Sequence, residues 1–155
     1  MMMNHREKPA VAKRRRAERT KPLILLVDDD SAVRESLRRA FQNDEWEIVT
    51  ASSGEAALDS LGKRLPDLVI TDLRMAGVNG WDLLFHEMME RPHLPIFVIS
   101  ALPPEDTGGA DRIATRFFQK PIDIEKMAEA IRETLHAEAS RETTARAKPR
   151  SSATP

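Results

Sequence analysis

The segment 66–80, PDLVITDLRMAGVNG, limits the fold of this chain more than any other stretch. Its apolar core, from Leu68 to Ile70, is short, and Pro and Gly residues bound the segment. Such a run is typical of a β-strand that is buried on both faces. Asp72 then stands at the carboxyl end of the strand, where open parallel α/β sheets bind their ligands. We therefore expect Asp72 to be a chemical group, and specifically a nucleophile.

Four other short apolar runs predict strands, and patterns with helical spacing separate them. The predicted strands are 23–27, 46–51, the central strand that ends at Asp72, 96–99, and a short strand that begins at 117–118. Helices are predicted from Ser31 onward, over 56–61, over 81–89 and over 124–135, with room for only a short helix around 111–115. Five βα repeats in this order predict a parallel sheet with helices on both faces.

Composition limits the class of protein. The chain has 155 residues, of which 41% are hydrophobic and 32% charged, which suits one domain with a core plus tails. It has no cysteine, so disulfides and thiolate metal sites are excluded. No apolar run approaches the ~18 residues of a membrane span, and the N-terminus lacks the apolar region of a secretory signal. A soluble cytoplasmic protein is expected.

The charge is distributed unevenly along the chain. Residues 1–21 carry a net charge of +6 and residues 139–155 a net charge of +3, whereas residues 22–138 carry −10. Both ends also lack the apolar content to fold alone. We therefore predict an acidic domain at 22–138 between basic, disordered extensions at 1–21 and 139–155. Each extension is either simply solvated or makes electrostatic contact with nucleic acid, an anionic membrane or an acidic partner.

Four of the predicted strands end in residues that can do chemistry. These residues are Asp28 and Asp29, Asp72, Ser100, and Lys120. In a parallel sheet the carboxyl ends of the strands lie at one edge, so the side chains should share a crevice. Three ionised carboxylates beside one ammonium repel one another, which favours a cation at the site. Oxygen ligands without His or Cys indicate Mg²⁺ or Mn²⁺, and these ions suit phosphoryl chemistry.

The motifs LILLVDDD, DLVITDLRMAGVNG, FVISA and FFQKP together resemble the receiver domain of two-component response regulators. The resemblance covers residues 22–138, with the motifs in the family's order. It implies a flavodoxin-like, doubly wound five-stranded sheet with strand order 2-1-3-4-5. It also implies that Asp72 accepts a phosphoryl group from the phosphohistidine of a histidine kinase.

The resemblance further implies a role for each residue of the crevice. Asp29 would bind the metal ion directly, Asp28 through water, and the backbone carbonyl of Arg74 would be a further ligand beside Asp72. Ser100 would hydrogen-bond the phosphoryl group. Lys120 would pair with the phosphoryl charge, and Phe117 would be the switch aromatic. The peptide bond between Lys120 and Pro121 would be cis.

The chain also departs from the family pattern. Ala76 stands where the family commonly has proline, which should loosen the loop after Asp72. The interval from Ser100 to Lys120 is slightly short for the family, so the fourth helix should be reduced. These departures affect the output surface rather than the chemistry.

The expected partners follow from the same resemblance. The phosphodonor would be a sensor histidine kinase or a histidine phosphotransfer protein. Because residues 139–155 are too few for a helix-turn-helix unit, no DNA-binding domain is expected, and a stand-alone receiver would signal through a downstream effector protein or relay its phosphate. Homodimerisation through the fourth helix, fifth strand and last helix is a further option that the resemblance leaves open.

Two alternatives remain at the level of sequence. The first is an aspartyl-phosphate phosphatase of the haloacid dehalogenase type, since residues 28–32, DDDSA, superficially fit D-x-D-x-T. Ala32 replaces the threonine, however, and no acidic motif follows Lys120 at a strand end. The second is an adaptor that kept the fold but lost the switch. We expect a phosphoryl acceptor and not an enzyme.

Overall fold

A computed structural model of the chain describes residues 19–73, 85–86, 89–107 and 109–147. Its sheet consists of five parallel strands in the order β2-β1-β3-β4-β5. The predicted doubly wound sheet and its strand order are therefore confirmed. The strands are β1 (Leu23–Val27), β2 (Glu47–Ala51), β3 (Leu68–Asp72), β4 (Ile96–Ser100) and β5 (Arg116–Gln119).

The helices connect the strands as βα repeats require. They are α1 (Ser31–Phe41), α2 (Gly54–Lys63), α3 (Ala110–Ile113) and α4 (Ile124–Ala147), with a 3-10 turn at Pro104–Asp106. Between β4 and β5 the described residues form this turn and the single-turn α3, so the predicted reduction of the fourth helix is confirmed. Most of the helix predicted at 81–89 lies outside the described residues, although 85–86 are helical.

Two apolar clusters cover the two faces of the sheet. One contains Leu26, Ile70 and Phe97 from the strands and Ile131 from α4. The other contains Leu25, Val69 and Val98 together with Leu61 of α2. Successive residues of a strand point to opposite faces, so the continuous aliphatic runs of β1, β3 and β4 serve both clusters at once. This burial fixes the register of the central strands and therefore the positions of their carboxyl ends.

The last helix is longer than the sequence pattern predicts. We predicted a disordered tail from residue 139 onward, but α4 continues to Ala147. A helix that already has a nucleus extends at little cost through Ala, Glu and Arg, which are good helix formers. Two hydroxyls, of Thr143 and Thr144, also donate to carbonyls one turn earlier, each at 3.0 Å. Charge composition alone therefore gave the wrong boundary. None of the described helices is long and apolar enough to cross a bilayer.

Part of the basic N-terminal segment also belongs to the domain. The guanidinium of Arg19 donates to the carbonyl of Leu65 at 2.9 Å and lies 3.3 Å from Oδ2 of Asp67. The same Oδ2 accepts the amide of Leu23, the first residue of β1, at 2.7 Å. Asp67 thus ties the chain before β1 to the start of β3. The predicted extension at 1–21 therefore overlaps the folded domain at Arg19, while residues 1–18 lie outside the described part.

Replacement of Asp67 by alanine should lower the free energy of unfolding by about 2 kcal/mol, because the buried amide of Leu23 and the guanidinium of Arg19 would lose a charged acceptor. Urea unfolding at neutral pH measures this change. Asp59 is a suitable control, because it forms a surface ion pair with Lys63 and its side chain is 66% exposed. Asp59→Ala should cost at most about 0.5 kcal/mol. Equal losses in the two variants would contradict a structural role for Asp67.

Candidate functional site

The registers of the central strands bring four predicted site residues to one edge of the sheet. Val27 of β1 pairs with Thr71 of β3, so Asp28 and Asp72 follow at neighbouring positions. Asp72 pairs with Ile99 of β4, and Ser100 is the next residue along β4. The amide of Lys120 donates to the carbonyl of Ser100 at 2.8 Å, which holds the end of β5 against β4. These four residues therefore lie at one edge of the sheet, as the strand pattern predicts.

An ion pair lies at the centre of this edge. Nζ of Lys120 is 2.6 Å from Oδ2 of Asp72. The Asp72 side chain is only 6% exposed, whereas that of Lys120 is 34% exposed. The peptide bond between Lys120 and Pro121 is cis, as the resemblance implies. Lysine thus approaches the buried carboxylate from the solvent side and supplies a charge-assisted hydrogen bond.

Asp28 is the more unusual carboxylate of the site. It is 2% exposed, and its Oδ1 accepts the amide of Asp30 at 2.9 Å. Its Oδ2 is buried and has no hydrogen-bond partner among the described residues. Burial raises the pKa of Asp28 from 3.8 to about 6, and the charges of Asp72 and Asp29 also raise it, while the Asp30 amide and Lys120 lower it. A buried carboxylate oxygen that lacks a hydrogen-bond partner is suited to binding a cation.

The three consecutive aspartates have different environments. Oδ1 of Asp30 accepts the amides of Ala32 and Val33 at 2.9 and 3.1 Å, and so caps the N-terminus of α1. Asp29 is exposed and contributes to the electrostatic field at Asp28. The N-cap therefore accounts for Asp30, and Asp28 and Asp29 remain for the site.

Ser100 and Phe117 occupy neighbouring strands. Ser100 is fully buried, and its Oγ accepts the amide of Leu102 at 3.0 Å. Phe117 is half-buried and packs against the apolar cluster that contains Val98, its partner in the β4–β5 ladder. The aromatic ring therefore lies on a strand adjacent to the serine, where the predicted switch pair would need it.

The donor set fits a hard divalent cation. The described residues contain no cluster of three or more His, Cys, Asp or Glu side chains already arranged as a metal site. They do contain a buried, unsatisfied carboxylate oxygen on Asp28, in the electrostatic field of Asp72 and Asp29. Oxygen donors of this kind suit Mg²⁺. Arg74, whose carbonyl was predicted to be a ligand, and Ala76 lie outside the described residues.

Arg34, which also lies at this edge, was not predicted from the sequence to belong to the site. Nη1 of Arg34, in the first turn of α1, donates to the backbone carbonyl of Asp28 at 2.7 Å. A cation is unfavourable at a helix N-terminus, where the backbone dipole is positive. This unfavourable position is the sequence feature that indicates a specific partner for Arg34.

Comparison with known proteins agrees with the geometry. The response regulator receiver domain family matches residues 24–132. This chain is a member of that family. The matched region contains β2 to β5, all of β1 except Leu23, and every residue predicted to form the site. The predicted resemblance to receiver domains is therefore confirmed.

Curated relatives are similar over most of this chain. The response regulator MprA of Mycobacterium sp. (strain KMS) is 34% identical over 114 residues, which cover 72% of this chain and 50% of the relative. The probable transcriptional regulatory protein TcrX of Mycobacterium tuberculosis is 31% identical over 127 residues, covering 78% of this chain and 53% of the relative. The chain thus spans about half the length of the curated relatives that it matches.

Solved receiver structures share the fold. A response regulator receiver protein from Pseudomonas putida is 31% identical, with a TM-score of 0.65 over 74% of this chain and 98% of its own. The response regulator protein TrrA from Thermotoga maritima, solved in complex with Mg²⁺-BeF, is 26% identical, with a TM-score of 0.64 over 73% of this chain and 98% of its own. The receiver of this chain therefore resembles complete receiver domains from end to end.

Replacement of Asp28 by asparagine should stabilise the metal-free protein at pH 7. The folded wild type holds a buried carboxylate whose pKa is raised to about 6, so it binds a proton between pH 4 and 6 that the unfolded chain does not bind. Wild type should therefore lose stability as the pH rises through this range, and Asp28→Asn should not. Solvent at the mouth of the site screens the effect, which leaves about 1–2 kcal/mol in favour of the variant.

Urea unfolding of both proteins in EDTA at pH 7 and pH 4 measures this difference. The advantage of Asp28→Asn should be largest at pH 7 and shrink toward pH 4, where the native wild-type carboxyl is already protonated. An advantage that is absent at pH 7, or that grows as the pH falls, would contradict the raised pKa.

Proposed function

We propose that this receiver accepts a phosphoryl group on Asp72 from the phosphohistidine of a histidine kinase or histidine phosphotransfer protein. The ion pair between Asp72 and Lys120, 2.6 Å long at the edge where β1, β3, β4 and β5 end, is the observation that carries this proposal. It combines a buried carboxylate with an ammonium group that can pair with the negative charge of an added phosphoryl group. We expect one transfer per phosphorylation event, rather than continuous turnover of a phosphate ester as in an enzyme.

In the transfer, a carboxylate oxygen of Asp72 forms a bond to phosphorus while the bond between phosphorus and the imidazole nitrogen breaks. The electron pair of the broken bond stays on the imidazole, which carries a proton on its other nitrogen and therefore leaves as neutral histidine. The product is an acyl phosphate, which adds negative charge beside the ammonium group of Lys120. Lys120 then pairs with a phosphoryl oxygen, and the hydroxyl of Ser100 can donate to another.

Mg²⁺ is the cation that we propose for this site. Asp28, Asp29 and Asp72 would hold it, together with the carbonyl of Arg74. When bound, it offsets the charge that gathers on the phosphoryl oxygens. The unsatisfied Oδ2 of Asp28 supports this assignment, and the likeness to TrrA, which was solved with Mg²⁺-BeF, agrees with it.

Output would follow from a movement of Ser100 toward the phosphoryl group. The Leu102 amide donates to Ser100 Oγ, so the segment after β4 would move with the serine. Phe117, which is only half-buried, would turn into the space that is vacated. These changes would alter the surface formed by α3, β5 and α4, where we propose that an effector protein or a second receiver binds.

Incubation with acetyl phosphate and Mg²⁺, followed by intact-mass measurement, tests the function. The protein should gain the mass of one phosphoryl group, and EDTA should prevent the gain. A wild-type protein that stays unmodified under these conditions would support an adaptor that kept the fold without the switch. Sustained hydrolysis of a generic phosphate ester would instead support the phosphatase alternative.

A further inference from the structure

Arg34 has a position that helix electrostatics do not favour. It is the fourth residue of α1, where the partial positive charge of the helix dipole repels a cation. The other arginines of this helix, Arg38 and Arg39, lie in its last turn and both pair with Glu35. Arg34 instead directs Nη1 to the backbone carbonyl of Asp28, at 2.7 Å. This hydrogen bond compensates for the unfavourable position of the guanidinium.

The bond between Arg34 and Asp28 completes a set of three that hold one residue. The Asp28 amide donates to the carbonyl of Ala51 at the end of β2, at 3.1 Å. Oδ1 of Asp28 accepts the amide of Asp30 at 2.9 Å. Arg34 binds the remaining backbone atom, the carbonyl oxygen. Asp28 therefore forms hydrogen bonds through its backbone amide, its backbone carbonyl and one of its two carboxylate oxygens.

Fixing the carbonyl of Asp28 also fixes the residue that follows. The peptide unit is planar, so the direction of this carbonyl sets the direction of the Asp29 amide and the start of the Asp29 backbone. Because Oδ1 of Asp28 is bound to the Asp30 amide, Oδ2 is the oxygen that remains unsatisfied in the site. The peptide plane between Asp28 and Asp29 thus sets the backbone from which these two of the predicted acidic ligands project.

We infer that Arg34 is a positioning residue for the acidic metal site, an inference that rests on the proposed function. It holds the peptide between Asp28 and Asp29 so that their carboxylates are in place before a divalent cation arrives. The contact acts through a backbone oxygen, so Arg34 does not need to touch the cation or the phosphoryl group. Residues that orient metal ligands in this way commonly contribute about 10–100-fold to metal affinity.

Three variants separate this function from a general contribution to stability. Arg34→Met removes the donor and retains most of the aliphatic stem, while Arg34→Lys retains a cation that can donate to a carbonyl. Arg39→Met is the matched control, because Arg39 lies on the same helix with a side chain that is 75% exposed. Mg²⁺ affinity is measured by calorimetric titration, and exchange of the Asp30 amide is followed by NMR in the metal-free protein.

We expect Arg34→Met to weaken Mg²⁺ binding by about tenfold or more and to accelerate exchange of the Asp30 amide. Arg34→Lys should recover part of both properties, and Arg39→Met should match wild type. Mg²⁺ affinity within twofold of wild type in Arg34→Met, or unchanged exchange at Asp30, would overturn the positioning role and leave the proposed function intact. A wild-type protein that binds no Mg²⁺ would overturn both.

Discussion

Replacement of Asp72 by asparagine is expected to abolish phosphorylation by acetyl phosphate or by a phosphorylated histidine kinase. An amide oxygen is a far weaker nucleophile than a carboxylate and cannot form a stable acyl phosphate. The side chain is nearly isosteric, so the buried position at the end of β3 should stay filled and the protein should stay folded. Intact-mass measurement after saturating incubation measures the extent of modification.

Asp59→Asn is the matched control for this substitution, because Asp59 is an exposed carboxylate on α2 rather than at the strand edge. It should accept as much phosphate as wild type. Urea unfolding of Asp72→Asn must also show a cooperative transition, which separates loss of the acceptor from loss of the fold. Phosphorylation of Asp72→Asn to the wild-type extent would show that another residue is the acceptor.

The second large effect is expected at Lys120. Lys120→Met removes the cation that lies 2.6 Å from Asp72 and leaves Asp72 and Asp28, both nearly inaccessible, as neighbouring carboxylates. Without metal, the free energy of unfolding at pH 7 should fall by about 2 kcal/mol, a value reduced from that of a fully buried pair because Lys120 is partly exposed. Phosphorylation should also become slower, since no side-chain ammonium would offset the phosphoryl charge.

A double-mutant cycle tests whether this loss comes from the pair itself. Asp72→Asn combined with Lys120→Met should be about as stable as Asp72→Asn alone, because the lysine would have lost its partner already. Additive losses in the double variant would mean that Lys120 stabilises the fold through other contacts. In that case the short distance to Asp72 would not indicate a functional ion pair.

The convergence of Asp28, Asp72, Ser100 and Lys120 was predictable from the sequence, because a parallel sheet places the carboxyl ends of its strands at one edge. The short apolar runs predicted the positions of the strands. The polar residues that follow these runs predicted the position of the site. The roles that the resemblance implies for these four residues, and for Asp29, Arg74 and Phe117, stay predictions. The structure adds that Asp28 is the carboxylate with an unsatisfied oxygen, a property that depends on which amides lie within reach.

Other features depend on contacts that sequence patterns do not encode. The Arg19–Asp67 pair joins residues far apart in the chain, and Arg34 of α1 donates to the carbonyl of Asp28, the residue after β1. The extent of α4 was mispredicted because net charge was used to judge residues 139–147, whereas helix propensity and a preceding nucleus decide whether they are helical. Composition is therefore a poor guide where a segment continues an existing element.

The most direct test of the account is to locate the phosphoryl group on the protein. Wild type is phosphorylated with acetyl phosphate and Mg²⁺, the acyl phosphate is reduced with borohydride, and the modified peptide is sequenced by mass spectrometry. We predict homoserine at position 72 and unmodified aspartate at positions 28 and 29. Modification at another residue, with Asp72 intact, would contradict the central claim that the end of β3 carries the acceptor.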